Sequence, residues 1–329
     1  MSTLNDKNIA VLGGGYWGRN LIRVFSELHQ LHTVCDIDQL TLDGLTKLYP
    51  SVLFTEDYSQ ILLNPDIDAV VIATPASTHY SFTAQALNAG KDVFVEKPLA
   101  LHKSEGEGLV ELARKRSRIL MVGHLLVYHP AIIELRRLIT SEKLGRIKYV
   151  YSNRLNLGKI RTEENVLWSF APHDISAILY LIGEIPVQVS AEGGYYVNKD
   201  VADTALIKMS FPENTKSHIF VSWLHPFKEQ RLVVIGDQQM AVFNDVEKQN
   251  KLTLYEYSVD STGKAPVTHK STAIQISIPN SEPLKMECQH FIDCINTRDD
   301  PRTSGEKALR VLQILEACQM SMDRGPQSG

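Results

Sequence analysis

Gly13-Gly14-Gly15-Tyr16-Trp17-Gly18 decides the fold of this chain. The stretch follows the apolar run Ile9-Ala10-Val11-Leu12 and leads into the helical pattern Trp17–Leu28. It is G-x-G-x-x-G between a strand and a helix, the setting in which that pattern cradles a dinucleotide. Gly13 permits the tight turn off the strand, Gly15 lets a pyrophosphate approach the backbone, and Gly18 lets the helix pack closely on the sheet. The helix N-terminus offers unpaired N–H groups and a partial positive charge to the phosphates. Tyr16 and Trp17, inside the turn, join these glycines as expected cofactor contacts.

A second element supports the first. The run Leu31–Val34 ends in Cys35-Asp36, close to the separation at which an acidic residue should follow the fingerprint. A carboxylate there accepts both hydroxyls of an adenosine ribose and repels a 2′-phosphate. Ile37 and Asp38 supply no cation to offset that repulsion. The expected cofactor is therefore NAD rather than NADP.

The length, 329 residues, suggests about two domains. A net charge of −4 gives no basic footprint for nucleic acid. No apolar run is long enough to span a bilayer, and the start, Met1–Lys7, lacks the apolar core of a signal peptide. The four cysteines form no C-x-x-C pair and read as buried free thiols of a reducing cytoplasm. The histidines show no metal-ligand spacing, so no metal site is expected.

The first part alternates strand and helix. Candidate strands are Ile9–Leu12, Thr33–Asp36, Ala69–Ala73, Val93–Glu96 and Ile119–Val122; helical patterns Trp17–Glu27, Asp38–Leu48, Tyr58–Leu62, Ser77–Ala89 and Ser104–Lys115 separate them. This reads as α/β, a doubly wound parallel sheet with its ligand beyond the carboxyl ends of the strands. The style changes after about His124. A helix Ala131–Ile139, a long strand Ile147–Leu157 and a helix from about Pro172 to Leu181 precede a run of strands between Val187 and Tyr257. Such a run argues for a second α/β domain with an antiparallel sheet. Asp260–His269 reads as an exposed loop, and helices Pro283–Asn296 and Ser304–Met322 close the chain. The expected division is 1–124 for the dinucleotide and 125–329 for substrate and oligomer contacts.

Several residues are candidates for chemistry. Glu96-Lys97-Pro98 ends a sheet strand. Pro98 restricts Lys97 to extended backbone, and its ammonium can stabilise a developing alkoxide or relay its proton. A surface turn is the alternative. Thr74-Pro75, with Ser77, Thr78 and His79, follows another strand and reads as a loop under the cofactor, with Ser77 capping the next helix. His173 follows Pro172, a good first-turn residue, and so would sit at a helix N-terminus where the dipole favours neutral imidazole. It could then take a proton from a hydroxyl, or it could merely cap or pack. Arg154, Asn156, Lys159 and Arg161 form a cationic and polar cluster with no acidic balance before Glu163-Glu164. Such a cluster suits a carboxylate or diphosphate, or a solvated strand end. His124 and His129 border the last strand of the first domain and read as packing or hydrogen-bonding residues.

With these motifs in order, the chain resembles the glucose–fructose oxidoreductase/inositol dehydrogenase (Gfo/Idh/MocA) family along essentially its whole length. The motifs are Gly13–Gly18, Asp36, Ile72-Ala73-Thr74-Pro75 with His79, and Glu96-Lys97-Pro98. The resemblance implies a large open, mostly antiparallel second sheet that often mediates dimer or tetramer contacts, an active site between the domains, and Lys97 as central catalytic residue. Many members pair a histidine with an aspartate four residues earlier. Here His173 matches the histidine and Ser169 stands at the aspartate position. The family's asparagine and arginine after the last dinucleotide-domain strand are replaced near Leu125 and Leu126. The stretch Arg154–Arg161, then Glu164-Asn165 and Leu167-Trp168-Ser169-Phe170-Ala171-Pro172-His173-Asp174, is similar to the UDP-N-acetylglucosaminuronate (UDP-N-acetyl-2-amino-2-deoxyglucuronate) 3-dehydrogenases. That likeness adds Trp168 to the cofactor contacts and Asn165 to the substrate contacts. It implies NAD-dependent oxidation of the sugar 3-hydroxyl on the way to diacetamido uronic acids of bacterial O-antigen and lipopolysaccharide. It further implies a cytoplasmic homotetramer and a 2-oxo acid such as 2-oxoglutarate as a means of reoxidising NADH. Two rivals remain: a dehydrogenase of a free polyol such as inositol, and a non-catalytic protein that retains NAD.

Overall fold

The computed structural model describes residues 8–158, 160–162, 164–260 and 267–324. They fall into two compact units. The first comprises residues up to Leu125 together with Glu282–Leu312; the second comprises Leu126–Ser281 and residues from Gln313 on.

In the first unit, strands β1 (Ile9–Leu12), β2 (Leu31–Cys35), β3 (Leu53–Thr55), β4 (Ala69–Ile72), β5 (Asp92–Glu96) and β6 (Leu120–Gly123) alternate with helices α1 (Tyr16–Glu27), α2 (Gln39–Leu48), α3 (Tyr58–Leu63), α4 (His79–Asn88) and α5 (Lys103–Arg116). The sheet order is β3-β2-β1-β4-β5-β6, with all neighbours parallel. The order reverses between β1 and β4, which opens a crevice at their carboxyl ends. Helices cover both faces, so β1 and β4 bury every residue and read as unbroken apolar runs. The doubly wound α/β expectation holds. Strand β3 went unread because it is three residues long and partly exposed, too short to show a period.

The second unit opens with α6 (Pro130–Thr140), β7 (Ile147–Leu155) and α7 (Val166–Ile182). Strands β8 (Gln188–Gly194), β9 (Thr204–Ser210), β10 (Lys216–Ser222), β11 (Glu229–Gly236), β12 (Gln239–Asn244), β13 (Leu252–Asp260) and β14 (Val267–Ile276) complete a sheet ordered β14-β13-β12-β11-β7-β10-β9-β8. Only β7 and β10 run parallel; the other pairs are antiparallel. Helix α7 packs on β7, β9 and β10. Along β7, Val150 and Ser152 are buried between the half-buried Tyr149, Tyr151 and Asn153, the alternation of a sheet with one covered face. The expected loop Asp260–His269 is corrected in part. Asp260 ends β13, residues 267–269 belong to β14, and 261–266 lie outside the described residues.

Helix α7 corrects a second expectation. It begins at Val166, not near Pro172. Asn165 caps it, its side chain accepting the Trp168 N–H at 3.3 Å, and Val166 and Leu167 are fully buried. Pro172 therefore lies inside the helix, where it removes one backbone donor. The apolar run before the proline outweighs that local cost.

The chain then returns. Helix α8 (Pro283–Thr297) belongs to the first unit, and the boundary between units falls inside α9 (Gly305–Asp323). The Arg298 guanidinium donates to both Asp92 oxygens at 2.7 and 3.0 Å, and Phe291 packs on Phe94 at 5.6 Å between centroids. The sequence-based division placed all residues after 124 in the second domain. The first unit instead reclaims 282–312 through contacts some two hundred residues apart, which no local pattern signals. Among the described residues no helix is long and apolar enough to cross a membrane.

Candidate active site

The glycine turn does what its spacing requires. Gly13 holds φ +101°, and a Cβ there would lie 2.7 Å from the Ala73 carbonyl oxygen. A Cβ on Gly18 would fall 1.9 Å from the Gly13 carbonyl oxygen, so the start of α1 closes on the turn only without a side chain. A Cβ on Gly15 would meet nothing within 4 Å, and Gly15 gives α1 no side-chain cap. Open space beside uncapped N–H groups fits a diphosphate. Asp36, just past β2, accepts the Gly14 N–H at 2.6 Å and the Asp38 N–H at 2.9 Å. These bonds fix the carboxylate at the turn with acceptor capacity to spare for ribose hydroxyls. The site fits NAD. Trp17 turns inward and donates its indole N–H to Glu96. Tyr16 turns outward, 90% exposed.

Glu96 and Lys97 stand at the carboxyl end of β5, the ligand side of the sheet. Lys97 is half-buried, and its backbone N–H donates to the Glu96 carboxylate at 3.3 Å. The Lys97–Pro98 peptide is cis. Burial pushes the Glu96 carboxyl up to about 7, against the pull of the Trp17 indole and the Lys97 charge. His124 is buried, with no partner on either ring nitrogen; burial, then Lys97, pushes it down to about 3. It is a neutral group beside the lysine.

His79 fastens two loops together. Its Nδ1 lies 2.7 Å from the Pro98 carbonyl and its Nε2 lies 2.9 Å from the Thr74 carbonyl. Burial holds it below the usual histidine range. It is a support beneath the loop of Thr74 and Pro75 rather than a surface contact. Ser77 does not cap α4. Ala76–Thr78 form a tight turn ahead of the helix, and Thr74 and Thr78 share a hydroxyl bond of 2.7 Å.

In the second unit His173 is half-buried and lies about two turns into α7. The helix-dipole argument for a neutral imidazole therefore does not apply to it. Arg154 is not without an acidic partner. Its Nε donates to Asp174 Oδ2 at 2.6 Å and its Nη2 to Oδ1 at 3.3 Å, while Ser152 Oγ donates to Oδ1 at 2.6 Å. The two side chains are 12% and 2% exposed. Arg161 pairs with Glu164 at 2.5 Å. The expected unbalanced cluster is thus largely neutralised, by an acid twenty residues away and one three residues away. Asn156 lies just past β7, its backbone N–H on the Ser222 carbonyl at 3.0 Å. Lys159 lies outside the described residues. Asn165 and Trp168 both donate side-chain N–H groups to Gln319 Oε1, at 2.8 and 3.1 Å. His129 caps α6, its Nδ1 accepting the Ala131 N–H at 3.1 Å and its Nε2 facing Asp245 at 3.4 Å.

Glu287 escaped the sequence reading. It lies on α8 and is wholly buried, with neither carboxyl oxygen hydrogen-bonded. A signal existed. Leu284, Glu287, Cys288, Phe291 and Ile292 follow helical spacing, so a glutamate sits on the apolar stripe.

Residues 7–124 match the description "Oxidoreductase family, NAD-binding Rossmann fold", and residues 132–242 match the family's C-terminal domain. The chain belongs to the Gfo/Idh/MocA oxidoreductase family. Its cofactor is NAD. A UDP-N-acetylglucosamine 3-dehydrogenase from Acidithiobacillus ferrooxidans is 26% identical over 308 residues, 92% of this chain and 93% of the relative. The solved structure of that organism's enzyme superposes with TM-score 0.85 at 25% identity, covering 97% of this chain and 98% of the other. A scyllo-inositol 2-dehydrogenase (NAD(+)) from Bacillus subtilis is 25% identical over 283 residues, 83% of this chain and 80% of the relative.

Proposed function

We propose that this family member is an NAD-dependent dehydrogenase that oxidises the 3-hydroxyl of a UDP-linked N-acetylated sugar to a ketone. The observation that carries the reading is Lys97, held by Glu96 at the ligand end of β5 in a dinucleotide-binding unit. Likeness along nine-tenths of the chain to a UDP-sugar 3-dehydrogenase supports the substrate class. NAD supplies the hydride acceptor. Lys97 contacts the sugar hydroxyl and stabilises the charge that develops as its proton leaves. His173 accepts that proton, directly or through Lys97. Thr74 and Pro75 contact the cofactor, and Asp36 binds its ribose and excludes NADP. Asn156, Lys159, Arg161 and Asn165 contact the substrate, with the uronic acid form of the sugar as the substrate read from the Arg154–Arg161 stretch. The product would then pass to a transaminating enzyme in surface-polysaccharide synthesis.

One observation favours a second substrate, the uncharged sugar UDP-N-acetylglucosamine: Arg154, the best placed carboxylate-binding group, already holds Asp174. Titrating UDP-N-acetylglucosaminuronate, UDP-N-acetylglucosamine and free myo-inositol with NAD separates the readings. Tighter binding of the uronate supports a carboxylate contact. Equal binding removes that contact and leaves the nucleotide sugar. Selective turnover of inositol overturns both. Lys97→Met should retain NAD binding and lose turnover. His173→Ala should lower turnover by about 10²–10⁴-fold, the usual worth of a general acid or base. A near-normal rate in the latter removes His173 from the mechanism.

A further inference from the structure

Helix α8 lies against β5 in a fixed antiparallel register. Asp92 at the start of the strand pairs with Arg298 just past the helix, and Phe94 meets Phe291 one helical turn before Cys294. Glu96 and Phe94 share a face of β5, being two apart, and Glu287 and Phe291 share a face of α8, being four apart. The third rung of this ladder is therefore Glu96 with Glu287, and the two carboxyls are within electrostatic reach.

Their surroundings differ. Glu96 receives two donors, the Trp17 indole N–H and the Lys97 backbone N–H. An acceptor among donors suits the ionised form. Glu287 receives none and is wholly buried. A bare carboxylate in that position would cost several kcal/mol, so the neutral acid prevails. The charged group that acts on Glu287 is Glu96, with the Cys288 thiol next to it on α8. Lys97 acts on Glu96 and on His124, while Glu282 and Arg23 act on Cys288, and Arg23 is already paired with Glu27 and Glu282.

We propose that Glu287 is a carboxylic acid kept in its neutral form, so that Glu96 and Glu287 together place a single negative charge behind Lys97. Glu287 is a positioning residue: it does not touch the substrate but limits the field that holds the Lys97 proton. Burial, then the Glu96 charge, pushes the Glu287 carboxyl well above the usual carboxylate range. A carboxyl raised on folding contributes stability fully present below its unfolded pKa, about 4.3, and lost as pH rises towards the folded value.

The test is Glu287→Gln in the full chain with NAD, because glutamine copies the neutral acid and does not titrate. Its Tm should match wild type in mild acid and exceed it by a gap that widens as pH rises, reaching several degrees at about pH 9. A variant less stable than wild type at every pH, or a gap that closes as pH rises, overturns the proposal. Should the variant fail to fold, infrared spectroscopy of the unmodified protein with isotope-labelled glutamate decides. At about pH 8.5, where Glu96 is ionised, one protonated carboxyl band should persist, and its absence overturns the proposal. The coupling to Lys97 rests on the proposed function and has its own readout. In Glu287→Gln the kcat/KM profile should coincide with wild type up to about pH 8.5, where glutamine copies the neutral acid, and separate only above it, where wild type alone gains a second negative charge. A separation already present below about pH 8.5, or none at higher pH, overturns the coupling. Absence of turnover on every sugar overturns only the proposed function, because the Tm and infrared results do not depend on it.

Discussion

Asp174 and Glu287 are buried to the same degree and are opposite cases. Asp174, on α7 of the second unit, receives three donors from Arg154 and Ser152. Glu287, on α8 of the first unit, receives none. Burial alone therefore does not decide whether a carboxyl is charged; the donors aimed at it do. The first acid is half of an ion pair that locks a helix onto a sheet. The second is a neutral group kept beside a working one.

Removing each acid sharpens the contrast, starting with the larger effect. Asp174→Ala strands a buried guanidinium and should destabilise the second unit by about 3–5 kcal/mol, read from urea unfolding. A loss below about 1 kcal/mol would mean that the pair is screened like a surface salt bridge. Glu287→Gln should have the opposite sign at alkaline pH, and it must be read as a difference from wild type. Burial holds His79, His124, His218 and His290 below their usual range, so wild type also loses stability as pH falls below about 6.5, where these groups protonate only on unfolding. The difference cancels that contribution. Arg154→Lys keeps the charge but loses the fork and should cost about 1–2 kcal/mol of stability. If Tm holds while the KM for the UDP-sugar rises, Arg154 serves the ligand rather than Asp174. The last effect concerns an acid between the two extremes. Asp36 has two backbone donors and an open side. Asp36→Ala should weaken NAD binding by roughly thirtyfold and narrow the NAD/NADP gap, the two lost ribose bonds being worth about 1 kcal/mol each. Unchanged cofactor preference would remove Asp36 from the site.

The legible part of the molecule was the part whose determinants are neighbours in sequence. Gly13, Gly15, Gly18 and Asp36 lie within one βαβ unit, so spacing and context sufficed. Lys97 was legible because Pro98 and the strand end adjoin it. The start of α7 was misjudged because Pro172 favours a first turn, whereas the buried Val166 and Leu167 hold six further residues in the helix. Strand β14 went unread, its first three residues taken for loop, because His269, Lys270, Ser271 and Thr272 obscure its alternation. The partners of the candidate residues were the least legible. Asp174 for Arg154, Gln319 for Trp168 and Glu287 for Glu96 meet only through the tertiary fold.

The indole of Trp17 carries a consequence of its own. The chain has three tryptophans, each in a different setting. The Trp223 indole N–H is buried without an acceptor, Trp168 donates to the uncharged amide of Gln319, and Trp17 donates to Glu96. Only the last has a titrating acceptor, so the protein contains its own optical reporter. Its fluorescence should follow the charge on Glu96 as pH crosses about 7, and with Trp168→Phe and Trp223→Phe in place a fluorimeter reads the state of the carboxyl behind Lys97 without any label.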